Sequence, residues 1–183
     1  MYDIITQAIG IVAMIFVVLS FQGKDAKKVI ACQMIGCILF IVNYFMLGAI
    51  VGALMNIIAT VRAVVYINKK TFRADSVAWP VAISAACLVA YVLVFTVFGK
   101  PFTVGNAVLE LLPVIGNTIT TIAFHTGSAK WIRRLGVFVS VCWITYNSFN
   151  FALGGILCEA FSLCSIFVGF LRYDRKKATP SEE

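Results

Sequence analysis

Apolar residues fall into seven long runs, and the polar residues cluster almost entirely between them. The runs cover 4–21, 29–47, 50–68, 78–98, 104–124, 131–150 and 153–171. Each is about 17–25 residues long, the length an α-helix needs to cross hydrocarbon. The pattern predicts seven transmembrane helices. Runs two and three are separated only by the corner Leu47–Gly48–Ala49, and runs six and seven only by Ala152–Leu153–Gly154–Gly155. This leaves no stretch for a soluble domain. The expected organisation is one transmembrane domain over 1–171, with a short, charged, disordered cytoplasmic tail over 172–183.

Composition agrees with that pattern. Of the 183 residues, 61% are apolar and 13% charged, where soluble domains average about 45–50% and about 25%. The fold class expected is all-α, a seven-transmembrane-helix bundle. The start, MYDIITQ, has no basic segment ahead of its first apolar run, the reverse of a cleavable signal peptide. The first run is therefore expected to stay, with the N-terminus outside.

Charge orients the chain. Thirteen of the fifteen basic residues lie in alternate connections or just after the last run: Lys24, Lys27 and Lys28; Lys69, Lys70 and Arg73; Lys130, Arg133 and Arg134; Arg172, Arg175, Lys176 and Lys177. The positive-inside rule places these in the cytoplasm, and the C-terminus with them, in a multi-pass membrane protein. The two remaining basic residues are Lys100 on the other side and Arg62 within run three. The net charge of +7 thus has a membrane explanation, and no nucleic acid is expected as a partner.

The spacing also hints at duplication. A shift of 106 residues lays 27–70 on 133–176, matching both basic loops and both glycine corners, and a shift of 103 pairs run one with run five. The reading is a 3+1+3 plan: repeat one over 4–70, a linker helix at 78–98 and repeat two over 104–176. Because both triplets start outside, they would be parallel repeats related by an axis along the membrane normal.

Polar side chains inside the runs are the candidate chemistry, because they are costly in lipid and normally face protein or water. Asn56, Glu110 and Glu159 fall about 9–10 Å from the outer helix ends, counting about 1.5 Å per residue. Glu110, Pro113 and Asn117 share one helix face. Pro113 removes a backbone donor and is the expected hinge. Glu159 and Ser162 form a similar pair. The expected solute-binding residues are Asn56, Glu110, Asn117, Trp143, Glu159 and Ser162. Arg62 is expected to snorkel to the cytoplasmic surface, and Tyr146, Asn147 and Asn150 to act as interfacial anchors.

Catalysis finds no support. The chain has no G-x-S-x-G elbow, no phosphate loop and no His–carboxylate cluster, so neither enzyme activity nor any cofactor or metal is expected. The only histidine, His125, sits at the rim of run five. The six cysteines lie in apolar runs and form no C-x-x-C pair, which suits small core residues.

The stretches ELLPVIGN (110–117), ALMNIIATVRAVV (53–65), WITYN (143–147) and GGILCEAFSL (154–163) together resemble the YgjV-type bacterial inner-membrane family, over all seven runs. In architecture the chain also resembles the SWEET/PQ-loop transporter group, which moves small polar solutes. The chain departs from that group in that Pro113 is followed by Val114 rather than glutamine, and Gly10 stands opposite Pro113. Asn56 resembles the group's substrate asparagine, although the 106-residue register pairs it with Ser162. The resemblance implies a small-solute transporter working by alternating access between two three-helix bundles, and the carboxylates favour a polar substrate that is cationic or proton-coupled. The alternative is a non-transporting membrane receptor or interaction protein on the same fold. The expected partners are the lipid bilayer and a small polar solute, with homo-oligomer formation left open.

Overall fold

The computed structural model describes residues 2–20, 26–126 and 128–171. Of the first basic cluster Lys24 falls outside these residues, and the tail at 172–183 falls wholly outside them. The described residues form seven helices: α1 (Tyr2–Ser20), α2 (Ala26–Met46), α3 (Ile50–Ile67), α4 (Ala78–Thr96), α5 (Val104–Thr126), α6 (Ala129–Phe149) and α7 (Leu153–Gly169). Among the described residues there is no strand. Many of these residues are β-branched, and Val and Ile are poor helix formers in water. A chain without water must bond every backbone group within its own segment, so helices win here over intrinsic propensity. By length and composition α3, α4 and α5 are long and apolar enough to cross a membrane. Shorter apolar stretches lie in α1 (Asp3–Leu19), α2 (Met34–Met46) and α7 (Leu153–Gly169).

Six helices close a ring in the order α1, α2, α3, α5, α6, α7 and back to α1, while α4 packs chiefly on α3 and α5. Two buried clusters fill the interior. One, where α1, α2, α3 and α6 meet, holds Ala13, Phe40, Tyr44, Ala53 and Tyr146. The other joins α3, α4 and α5 through Met55, Cys87, Val94 and Val114. Outward-facing valines and leucines such as Val81, Leu88, Val89 and Val92 of α4 remain exposed. In an apolar solvent their exposure carries no hydrophobic cost.

The two tight corners are built alike. Between α2 and α3, Leu47 N–H donates to Asn43 O, Gly48 N–H to Phe45 O and Ala49 N–H to Tyr44 O. Between α6 and α7, Asn150 N–H donates to Tyr146 O, Phe151 N–H to Ser148 O and Ala152 N–H to Asn147 O. Every member of the second set lies 103 residues after its counterpart. The left-handed position is Gly48 (φ 70°) in one corner and Phe151 (φ 52°) in the other. The boundaries of α2 and of α6 differ by the same 103 residues, as do the starts of α3 and α7.

This corrects the 106-residue register. Matching the sequences by glycine set Gly48 on Gly154, but the second corner turns at Phe151. A non-glycine residue there is unusual and costs about 1–2 kcal/mol, so residue type pointed to the wrong position. In the 103-residue register Asn56 corresponds to Glu159, not Ser162.

Candidate functional site

A cavity of about 140 Å³ lies inside the ring, walled among others by Phe40, Tyr44, Asn56, Trp143, Asn147 and Glu159. Three corresponding pairs, each 103 residues apart, face it: Phe40 with Trp143, Tyr44 with Asn147, and Asn56 with Glu159. Two glycines make room for this arrangement. A Cβ on Gly52 would stand 2.9 Å from Tyr146 Cε1, and one on Gly155 would stand 2.6 Å from Asn147 Nδ2. Real side chains do not approach that closely, so these helices can meet the aromatic cluster only as glycine.

Beside the cavity, α2, α3 and α6 are joined by a polar and aromatic cluster. Tyr44 donates its hydroxyl proton to Asn147 Oδ1 at 2.8 Å. Gly52 N–H donates to the Tyr146 hydroxyl at 3.0 Å. Trp143 and Tyr146 meet edge to face at 6.0 Å, with Tyr44 6.2 Å from Trp143. Tyr146 and Asn147 are both fully buried. The anchoring role expected for them is thus corrected: they bind partners across the ring instead of facing an interface.

Asn56 Nδ2 donates to Gly52 O at 2.9 Å and its backbone carbonyl accepts from Thr60 Oγ1 at 2.9 Å, while its side-chain Oδ1 is left to accept from a ligand. Glu159 Oε2 accepts from the Ser140 hydroxyl at 2.7 Å. Glu159 also borders a second cavity of about 340 Å³ within the second helix triplet, lined by Thr120, Phe124, Arg133, Ser140, Ser162 and Ser165 among others. Ser162 belongs to this second space and not to the first.

The face carrying Glu110, Pro113 and Asn117 is buried, but Glu110 and Asn117 do not line the first cavity. Glu110 Oε1 pairs with the Lys100 ammonium from the α4–α5 connection. The Glu110 side chain is 1% exposed and that of Lys100 25%, while Glu110 Oε2 is buried without a partner. The lone basic residue on the corner side is therefore drawn inward by a carboxylate ten positions on, a pairing that charge counting by loop does not reveal. Pro113 sits inside the continuous helix α5.

Asn117 serves a different contact. Arg62 does not snorkel: it is 8% exposed and turns into the α3–α5 interface. There its guanidinium donates to Asn117 Oδ1, to Asn117 O at 3.0 Å and to Thr121 Oγ1 at 3.2 Å. Asn117 Nδ2 in turn donates to Met55 O at 3.0 Å, and the guanidinium lies 5.3 Å from the Phe124 ring centre. No carboxylate lies within ion-pair distance of Arg62 among the described residues. Amide and hydroxyl acceptors hold this buried charge, as polar interior groups require. Among the described residues no group of three or more His, Cys, Asp or Glu side chains is placed to hold a metal.

A family model described as Imp-YgjV, bacterial inner membrane protein, matches residues 4–177. The inner membrane protein YgjV of Escherichia coli (strain K12) is 22% identical over 171 residues, which cover 93% of this chain and 85% of that protein. No solved structure matches the chain.

Proposed function

Since the chain belongs to the Imp-YgjV family of bacterial inner membrane proteins, we propose that it is a permease for a small, polar, cationic solute, bound in the first cavity. The observation that carries this reading is the set of corresponding residues on that cavity. Asn56 and Glu159 face one space from helices at matching positions of two triplets, with a carboxylate, a free amide oxygen and aromatic faces converging there. Carboxylates and aromatic rings both favour a cation. The volume matches a protein cavity that holds benzene, so the occupant has about six heavy atoms in this state.

Alternating access follows from the same plan. All seven helices span the membrane, with the N-terminus outside and the basic loops in the cytoplasm. The two triplets are parallel repeats about an axis along the membrane normal, and α4 is the peripheral inverter. They meet at two seams, α1 on α7 and α3 on α5. Around the cavity, the Tyr44–Asn147 bond would close the outer side and rocking at the seams would open it, with Pro113 as the hinge of α5. Glu110 with Lys100, and Arg62 with Asn117, would stabilise the frame instead of touching solute.

Purified protein screened by thermal shift against small primary and quaternary amines tests this reading. A ligand at about 100 times its Kd stabilises by about 2.7 kcal/mol, a shift that Glu159→Gln and Trp143→Ala should each abolish. If no cation stabilises the protein, or if the shift survives Glu159→Gln, the reading is wrong.

A further inference from the structure

Among the described residues, Glu159 is the only one that borders both cavities. On one side it shares the first cavity with Asn56, Tyr44 and Trp143. The other meets a space inside the second triplet, walled by α5, α6 and α7. That second space reaches Ile132 and Arg133 near the start of α6 and Ser165 and Ile166 near the end of α7, which is the basic end of the bundle. We propose that Glu159 takes up and releases a proton through this second cavity, a path separate from the one the solute uses.

The hydroxyls along that space are oriented to suit water. Thr120 donates to Gly116 O at 2.8 Å and Ser162 to Cys158 O at 3.0 Å. With each proton committed to its own helix, the oxygen lone pairs remain to accept hydrogen bonds from water or hydronium. Ser140, on the same wall, donates to Glu159 Oε2 at 2.7 Å, and a hydronium that reaches this carboxylate transfers its proton to form the new O–H bond and leaves as water. About 340 Å³ holds several waters, each occupying about 30 Å³ of liquid volume.

The titratable and charged groups facing Glu159 are few. Tyr44 and Cys37 approach from α2, Cys158 is its neighbour on α7, and Arg133 stands on the wall of the second cavity from α6. Glu110 is engaged by Lys100 elsewhere and does not border either space. A proton on Glu159 would remove the charge that holds a cationic solute, so proton entry from the basic end would release solute. The inference rests on the permease reading for that last step alone.

The test needs no solute. A water-soluble carbodiimide, with glycine ethyl ester as trapping amine, is added to the full-length protein in detergent. The carboxyl proton moves to the carbodiimide nitrogen, and the carboxyl oxygen adds to its carbon. The amine then displaces the urea and leaves an amide on the glutamate, read by peptide mass spectrometry. Asp75, with a side chain 80% exposed, serves as the reference carboxylate.

The wild-type protein should be labelled at Glu159 and not at Glu110. Ser162→Trp should cut the Glu159 yield, relative to Asp75, by about an order of magnitude, because the filled cavity no longer admits water or the carbodiimide to the carboxyl group. Asn56→Trp, which fills the first cavity, should leave that yield within about twofold, because the second path remains open. Ser165→Trp is the equivalent plug if Ser162→Trp does not fold. The proposal is overturned if Glu159 is unlabelled while Asp75 reacts, if neither plug changes the yield, or if Asn56→Trp blocks labelling instead. An amine screen that fails beside a positive labelling result would remove the solute and keep the proton path.

Discussion

Gly154 supports the seam between α1 and α7, and a single methyl group there should open it. A Cβ built on Gly154 falls 2.2 Å from both the carbonyl carbon and the oxygen of Gly10, and 2.8 Å from its Cα. Those atoms are backbone and cannot rotate away, so the two helices must part by about 1 Å or more to reach ordinary contact. The same movement stretches two bonds that cross the seam: Gln7 Nε2 to Phe151 O at 2.7 Å, and Leu153 N to Gln7 Oε1 at 3.2 Å. Overpacking of this kind costs about 1–3 kcal/mol, and weakened interhelical hydrogen bonds add about 0.6 kcal/mol each. Gly154→Ala should therefore lose about 2–4 kcal/mol, or about 5–15 °C in Tm at this chain length. The assay is thermal unfolding of the monodisperse protein in detergent, with two controls. Gly105→Ala meets nothing within 4 Å in a helix and should be neutral or stabilised by about 0.5–1 kcal/mol. Gly48→Ala also meets nothing, but its φ is +70°, so about 1–2 kcal/mol should be lost to strain alone. If Gly154→Ala melts with the wild type while Gly48→Ala is destabilised, the close approach of α1 to α7 is refuted.

Three further outcomes are expected. Phe151→Gly should raise Tm by about 2–4 °C, because glycine relieves roughly 1 kcal/mol at φ 52° and the exposed ring contributes little burial; a lowered Tm would show that the ring is needed there. Lys100→Ala strands the Glu110 carboxylate and should cost about 3 kcal/mol, with Lys100→Ala plus Glu110→Gln recovering most of it. Strictly additive losses in that double-mutant cycle would deny the ion pair. Reporter fusions at Lys28, Lys70 and Lys130 should all read cytoplasmic by the positive-inside rule, and a single periplasmic reading would break the seven-span topology.

The number, order and approximate ends of the helices were legible in the chain alone. Hydropathy runs such as 50–68 and 153–171 correspond to Ile50–Ile67 and Leu153–Gly169, because lipid-length apolar segments admit little structure besides a helix. That Asn56, Trp143 and Glu159 resist lipid was also visible, since a polar group in an apolar run is costly wherever it sits. Which of them share a space was not visible. Helical periodicity places Glu110 and Asn117 on one face, yet Lys100 takes the first and Arg62 the second. Those pairings depend on how a connection folds back and which helices touch, neither of which is local. Arg62 illustrates the limit: its distance from the helix end suits snorkelling, and only the neighbouring α5 offers the acceptors that turn it inward. The repeat register failed for a related reason. Residue type is a proxy for backbone shape, and where Phe151 adopts the conformation that Gly48 has in the first corner, the proxy points three residues away. The placement of Glu159 between two cavities was decided by tertiary structure alone, because a cavity is bounded by several helices at once and belongs to none of their sequences.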